Sequence, residues 1–297
     1  MAMKSISRDQ NWGVISAVLS SFCWGTTGVF VKSLPLFSAS EIIFGRCFVA
    51  LLATLFWMIF LKESFDYKNK QVWVLGFFMF LYYFFAVFSY QLIGVAECAL
   101  LLSTSPLFVM FYSLFTNQTL SRRKIAGSLV AFFGMVVVLY PGLIVSKDIS
   151  GLYSLGVALG LLSSLAISLY SIYAQNLRKK KTPIPDLNQI NLSTFLWSTG
   201  LMGIALLIIS KDIEVSLFNS FSWGLLCMGI FATFLPTIFY GIASKNISSL
   251  TVTSIRLLIP VFASVMAFIW LHKSIGVYTV LGGFMVIFGL LYMNKKN

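Results

Sequence analysis

Residues 253–260, TSIRLLIP, place an arginine and a proline four apart inside a long apolar run. Proline has no N–H, so the carbonyl four positions back, that of Arg256, loses its helical partner. One turn therefore offers a cation and a free acceptor. Ser249, Thr253, Arg256 and Pro260 are spaced four, three and four, which puts them on one stripe of a helix. A guanidinium suits a carboxylate or phosphate, which it binds through paired, charge-assisted hydrogen bonds. The competing reading is an interhelical clamp bonded to backbone carbonyls and hydroxyls.

Aromatic side chains could complete a pocket. Trp24, Tyr82, Tyr83, Tyr90, Tyr170 and Tyr240 all fall within apolar runs, as do the helix-break candidate Pro106 and its neighbours Ser103 and Ser105. Packing or placement at the lipid interface is the alternative for any one of them. Arg46 reads as a structural residue about 10 Å below the outer surface, near enough to reach the interface.

None of the nine acidic residues falls at mid-membrane, and the one histidine, His272, reads as interfacial. Glu41 and Glu97 are the only candidates for coupling to protons. No cofactor is expected, and no metal site, since Cys23, Cys47, Cys98 and Cys227 are far apart. The sequence has no phosphate-binding loop, no H-E-x-x-H and no nucleophile with a base at depth, so an enzyme is not expected.

The elements that must carry these residues follow from composition. The 297 residues are 59% hydrophobic and only 10% charged, with mean hydropathy +0.91. A soluble domain is about 25% charged. The chain therefore reads as a polytopic helical membrane protein. Ten runs are long enough to span about 30 Å of hydrocarbon: 12–32, 39–61, 71–93, 97–115, 124–140, 151–174, 188–209, 222–244, 247–270 and 276–293. On this count Arg256 lies about 14 Å deep, near the midplane, where an arginine costs at least about 2.5–3.5 kcal/mol.

With the N-terminus in the cytoplasm, 15 of the 21 Lys and Arg fall on the cytoplasmic side, against Lys32, Lys147, Lys211 and Lys273 outside. That bias supports N-in, C-in. It also accounts for the net charge of +12 without nucleic acid. RKKK at 178–181 reads as an anchor near anionic lipid.

The chain repeats itself. AGSLVAFFGMVVV at 126–138 resembles LGGFMVIFGLLYM at 281–293, and Pro106 matches Pro260. Residues 10–140 and 151–294 thus read as two five-helix units of one integrated transmembrane domain. An odd helix number makes the second unit enter from the opposite side, an inverted repeat. Gly127, Gly134, Gly282 and Gly289 read as smooth faces for close helix packing. The repeat counterpart of Arg256 is Leu102, so symmetry does not impose the charge.

SSFCWGTTGVFVK at 20–32 with Arg46, GVAECALLLSTSPLFVMFYSLF at 94–115 and NISSLTVTSIRLLIPVFASVMAF at 246–268 resemble the drug/metabolite transporter superfamily, EamA type. The resemblance implies a ten-helix carrier of small metabolites, often an exporter of amino acids or related compounds. One departure is that Gln118 and Lys273 stand where the family often has glutamate. The expected function is a multi-pass inner-membrane secondary transporter of an amino acid or related carboxylate-bearing metabolite, working by alternating access. The alternatives are a carrier of a cationic or nucleoside-containing metabolite, with Arg256 structural, and a non-transport scaffold. The expected partners are a small-molecule substrate and the lipid bilayer, with no nucleic acid; a homodimer is compatible with this reading.

Overall fold

The computed structural model of the chain describes residues 2–115, 122–145, 150–209, 223–247, 255–273 and 275–294. Among these residues the secondary structure is entirely helical: α1 (Ala2–Gly25), α2 (Thr27–Lys32), α3 (Ala39–Leu61), α4 (Lys70–Leu92), α5 (Val95–Leu102), α6 (Ser105–Phe115), α7 (Arg122–Val145), α8 (Ser150–Lys179), α9 (Leu187–Ile209), α10 (Trp223–Gly229), a π-helical turn (Ile230–Phe234), α11 (Leu235–Asn246), α12 (Ile259–Leu271) and α13 (Val277–Asn294).

Among the described residues six segments are long and apolar enough to cross a membrane: Gln10–Lys32, Ala39–Leu61, Lys70–Leu92, Gly151–Leu177, Leu187–Ile208 and Trp223–Ser244. Val95–Val109, Ile125–Val138, Ile259–Leu271 and Val277–Gly289 are shorter apolar helices. The polarity of the bundle is that of a protein in lipid. Phe56, Ile59, Phe60, Ile208, Phe284 and Phe288 are exposed, whereas Ser20, Ser21, Ser163, Ser164, Ser193, Thr194 and Thr233 are buried. Large apolar side chains on the outside suit hydrocarbon, and small hydroxyls inside let backbones approach and bond across helices. The Oγ atoms of Ser89, Ser163, Ser168 and Ser193 donate to the carbonyls of Gly156, Tyr82, Ser105 and Val72, at 2.8–2.9 Å, tying α4 to α8, α8 to the start of α6, and α9 to α4.

Two helices are interrupted at matching places. α5 stops at Leu102 and the chain turns at Ser103–Thr104 before α6 begins at Ser105, with Pro106 second. Helical residues 255–256 give way to a turn at Leu257–Leu258 before α12 begins at Ile259, with Pro260 second. Proline is tolerated in the first helical turn, where its missing N–H has no partner to lose. The Ser105 carbonyl accepts from Ser168 and the Ile255 carbonyl from Ser21 at 3.4 Å.

Glu41 and Glu97 cap helices rather than enter the core. Glu41 forms a reciprocal capping box with Ser38 at the start of α3. Glu97 accepts from the Gly94 N–H and the Tyr153 hydroxyl. α7 packs along α13 through glycines: a Cβ on Gly282 would lie 2.5 Å from the Gly134 carbonyl, and one on Gly289 2.5 Å from that of Gly127. These glycines are a packing seam, as expected from their spacing.

Candidate functional site

The interior of the bundle holds a cavity of about 770 Å³, counting the part that opens outward. Its wall is built from α1 (Trp24), α2 (Thr27), α3 (Arg46), α4 (Tyr82, Tyr83, Ala86, Tyr90), the α5–α6 break (Ala99, Leu102, Ser103, Ser105, Pro106), α8 (Ile167) and the break before α12 (Arg256, Leu257, Ile259). Both helix interruptions therefore face the same space. A smaller cavity of about 360 Å³ adjoins it, lined by Met79, Tyr170, Leu187, Asn191, Thr237 and Tyr240. Trp24, Ile167 and Arg256 line both. Among the described residues no carboxylate lines either one.

The half-buried Arg256 guanidinium lies against two neighbouring rings, its Cζ 4.9 Å from the Trp24 ring centroid and 5.4 Å from that of Tyr240. The two rings are 5.7 Å apart. Each ring face attracts a cation through its quadrupole.

Arg46 departs from its expected position. It is 1% exposed, so it does not reach the interface, and its Cζ lies 4.9 Å over the Tyr83 ring. Its Nε donates to the Thr233 hydroxyl at 3.0 Å. Thr233 sits in the π-helical turn, and its hydroxyl donates in turn to the Met228 carbonyl at 3.0 Å. Such turns accommodate an extra residue and recur at functional sites. Depth counted along one helix cannot say which way a side chain points. Here α3 turns Arg46 inward, toward α4 and the π turn.

Five buried side-chain polar atoms lack a hydrogen-bond partner among the described residues. Four belong to residues of this wall: Trp24 Nε1, Arg46 Nη1, Arg46 Nη2 and Tyr83 Oη. The fifth is the Thr54 hydroxyl.

Of the residues singled out from the sequence, Trp24, Tyr82, Tyr83, Tyr90, Ser103, Pro106 and Arg256 line the larger cavity, and Tyr170 and Tyr240 the smaller. Ser249, Thr253 and Gln118 lie outside the described residues. Pro260 does not share the face of Arg256. It lines a separate apolar groove with Val261, Ser264 and Phe284, because the turn at Leu257–Leu258 breaks the helical phase between them. The continuous stripe expected through 256 and 260 is thus interrupted. The sequence reading passed over Thr27, Asn191 and Thr237, and the small Ala86 and Ala99 that leave room beside the tyrosines. No local pattern distinguishes these from ordinary packing residues.

The fold and its polarity define a multi-pass membrane protein. Residues 11–140 and 154–295 each match the model of the EamA-like transporter family, and the chain belongs to that family. Two proteins of Archaeoglobus fulgidus, each named an uncharacterized transporter, are similar: one is 26% identical over 96% of this chain and 99% of its own length, the other 22% identical over 96% and 97%. A further uncharacterized transporter, from Clostridium kluyveri, is 26% identical over 68% of this chain and 64% of its own length. One solved crystal structure shares the fold at 16% identity, with a TM-score of 0.65 over 94% of this chain and 95% of that one. Family and relatives alike make this a transporter and not an enzyme.

Proposed function

We infer that the chain is a secondary transporter of a small carboxylate-bearing metabolite, an amino acid or a related compound, in the inner membrane. Its substrate occupies the larger cavity, with its anionic group on Arg256 and its apolar part against Trp24, Tyr82 and Tyr83. The observation that carries this reading is a cationic, aromatic-walled cavity formed where two helices break, with no carboxylate in its lining. Broken helices at membrane depth are tolerated where they border a cavity.

In this reading all ten apolar segments cross the bilayer, N-in and C-in, as two inverted repeats at 10–140 and 151–294. The two separate matches to the family model support the repeat. So does the packing, which pairs off as an exchange of halves requires. α4 meets α8 as α11 meets α1, α4 meets α9 as α10 meets α3, and α12 meets α1 as α6 meets α8. The pairs α3–α9 and α7–α13 map onto themselves. Rocking of one repeat against the other opens the cavity to each side in turn. Trp24, Ile167 and Arg256, shared by both cavities, are the partition that the motion displaces.

The test is counterflow in proteoliposomes loaded with unlabelled glutamate, leucine or lactate and given the same labelled compound outside. Saturable accumulation of at least one, lost in Arg256→Gln, supports the reading. Accumulation that survives the substitution makes Arg256 an interhelical clamp. Absence of flux for all three, with saturable flux of a cation such as putrescine, overturns the anionic assignment.

A further inference from the structure

The geometry points to a second anion site at Arg46, and hence to a substrate with two anionic groups, a dicarboxylate or a carboxylate-phosphate, held between Arg46 and Arg256. This rests on the reading that the larger cavity is the substrate site.

Arg46 is 1% exposed, keeps only its Nε bond to Thr233, and leaves Nη1 and Nη2 without a partner among the described residues. A guanidinium held this way keeps its outer edge free of protein acceptors, and that edge is a fork able to take two carboxylate or phosphate oxygens once a ligand displaces the side chains that cover it. Of the other two such atoms in the wall, Trp24 Nε1 can donate to Tyr83 Oη, so this pair makes no independent demand for an acceptor. Buried donors without acceptors are rare in folded proteins. Two on one guanidinium define what is missing: an acceptor-rich, negatively charged group.

The aromatic contacts separate the two cationic positions. Arg46 lies over Tyr83, whereas Arg256 lies over Trp24 and Tyr240. With no carboxylate in the lining, the cavity presents two positive charges. A monocarboxylate satisfies one of them. A single dianion satisfies both and cancels the charge of the site. The two arginines come from different halves of the chain, α3 and the break before α12, so a dianion bound to both also bridges the elements that move in transport.

The experiment measures Kd by calorimetry on the purified full chain in chloride-free buffer, with pairs of acids that differ by one anionic group. The pairs are succinate against butyrate, glutamate against glutamine, and 3-phosphoglycerate against glycerate. A charge-assisted hydrogen bond corresponds to roughly a tenfold to hundredfold change in Kd. The expected result is that, in at least one pair, the dianion-bearing member binds about tenfold or more tightly. Arg46→Gln removes that advantage and brings the two Kd values of the pair together. Arg46→Lys, which keeps the charge but not the fork, retains part of it. Equal binding within every pair, lost in Arg256→Gln, overturns the second site and leaves the proposed function standing. A preference that persists in Arg46→Gln also overturns it. If no acid binds, both readings fall. Should Arg46→Gln fail to fold, the pairwise comparison on the parent protein and on Arg46→Lys decides.

Discussion

Replacing Arg46 by methionine separates a residue kept for a ligand from one kept for the fold. The substitution keeps much of the length and apolar stem but removes the charge. Two favourable contacts go with it. The Nε bond to Thr233, at 3.0 Å, is a hydrogen bond to a charged group and is worth about 1.5–3 kcal/mol. The contact with Tyr83, at 4.9 Å, is worth about 0.5–2 kcal/mol. Against these stands the burial of a cation whose two Nη atoms have no partner, a cost of several kcal/mol that the variant no longer bears. Thr233 is not orphaned, because its hydroxyl still donates to Met228. The terms cancel to within about 2 kcal/mol, so the ligand-free protein should unfold within roughly 5 °C of the parent, or above it. The assay is intrinsic-fluorescence melting in detergent at one fixed scan rate, with Arg46→Ala as the control. That truncation leaves a void as well and should melt lower, by the cost of a core cavity, about 2–5 kcal/mol. The same Arg46→Met protein should lose the dianion preference. A fall in Tm as large as that of Arg46→Ala would show that the arginine is a strut, and would refute the argument from its unpartnered donors.

Four other outcomes follow from the same geometry. Arg256→Gln should abolish flux while lowering stability by only about 1–2 kcal/mol, the value of its contacts with two aromatic rings, as read by melting beside transport. Gly282→Ala should destabilise by about 1–3 kcal/mol, since its Cβ would meet the Gly134 carbonyl and Val138; Gly200→Ala, with nothing within 4 Å, should be neutral or slightly stabilising. Thr233→Val should destabilise the parent by about 1–3 kcal/mol but have much less effect in Arg46→Met, a non-additivity that a double-mutant cycle by melting would measure. In a chain whose four cysteines are alanine, Leu36→Cys should react with an impermeant maleimide from outside intact cells and Lys180→Cys only after permeabilisation; the reverse pattern would invert the orientation.

The transmembrane segments were legible because hydrocarbon demands runs of apolar residues of a set length, and that demand is written locally. The runs expected at 39–61, 71–93 and 188–209 agree with α3 (Ala39–Leu61), α4 (Lys70–Leu92) and α9 (Leu187–Ile209) to within a residue. The interruption at Pro106 was legible for the same reason, since a missing N–H acts on its own turn. The tyrosines of α4 were nominated by depth and chemistry, and Tyr82, Tyr83 and Tyr90 line the cavity. What depth does not convey is direction around a helix. Arg46 and Arg256 are both arginines in apolar runs, and only Arg256 stood out, because its counted depth fell near the midplane and a proline followed it.

The sequence by itself determined that this chain lives in a membrane, roughly where its helices run, and that two of them break. These follow from composition, run length and backbone chemistry, each a property of neighbouring residues. Tertiary structure decided which side chains share a space. It turned Arg46 inward onto Tyr83 and Thr233, 187 positions away in the chain. It also separated Pro260 from Arg256 by a turn that put them in different cavities. The physical reason is that a helix in lipid gains almost nothing from burying one apolar face over another. Orientation is set instead by small residues and hydroxyls that meet across helices, such as Gly282 on Gly134 and Ser163 on the Tyr82 carbonyl, and those meetings exist only once the helices have come together.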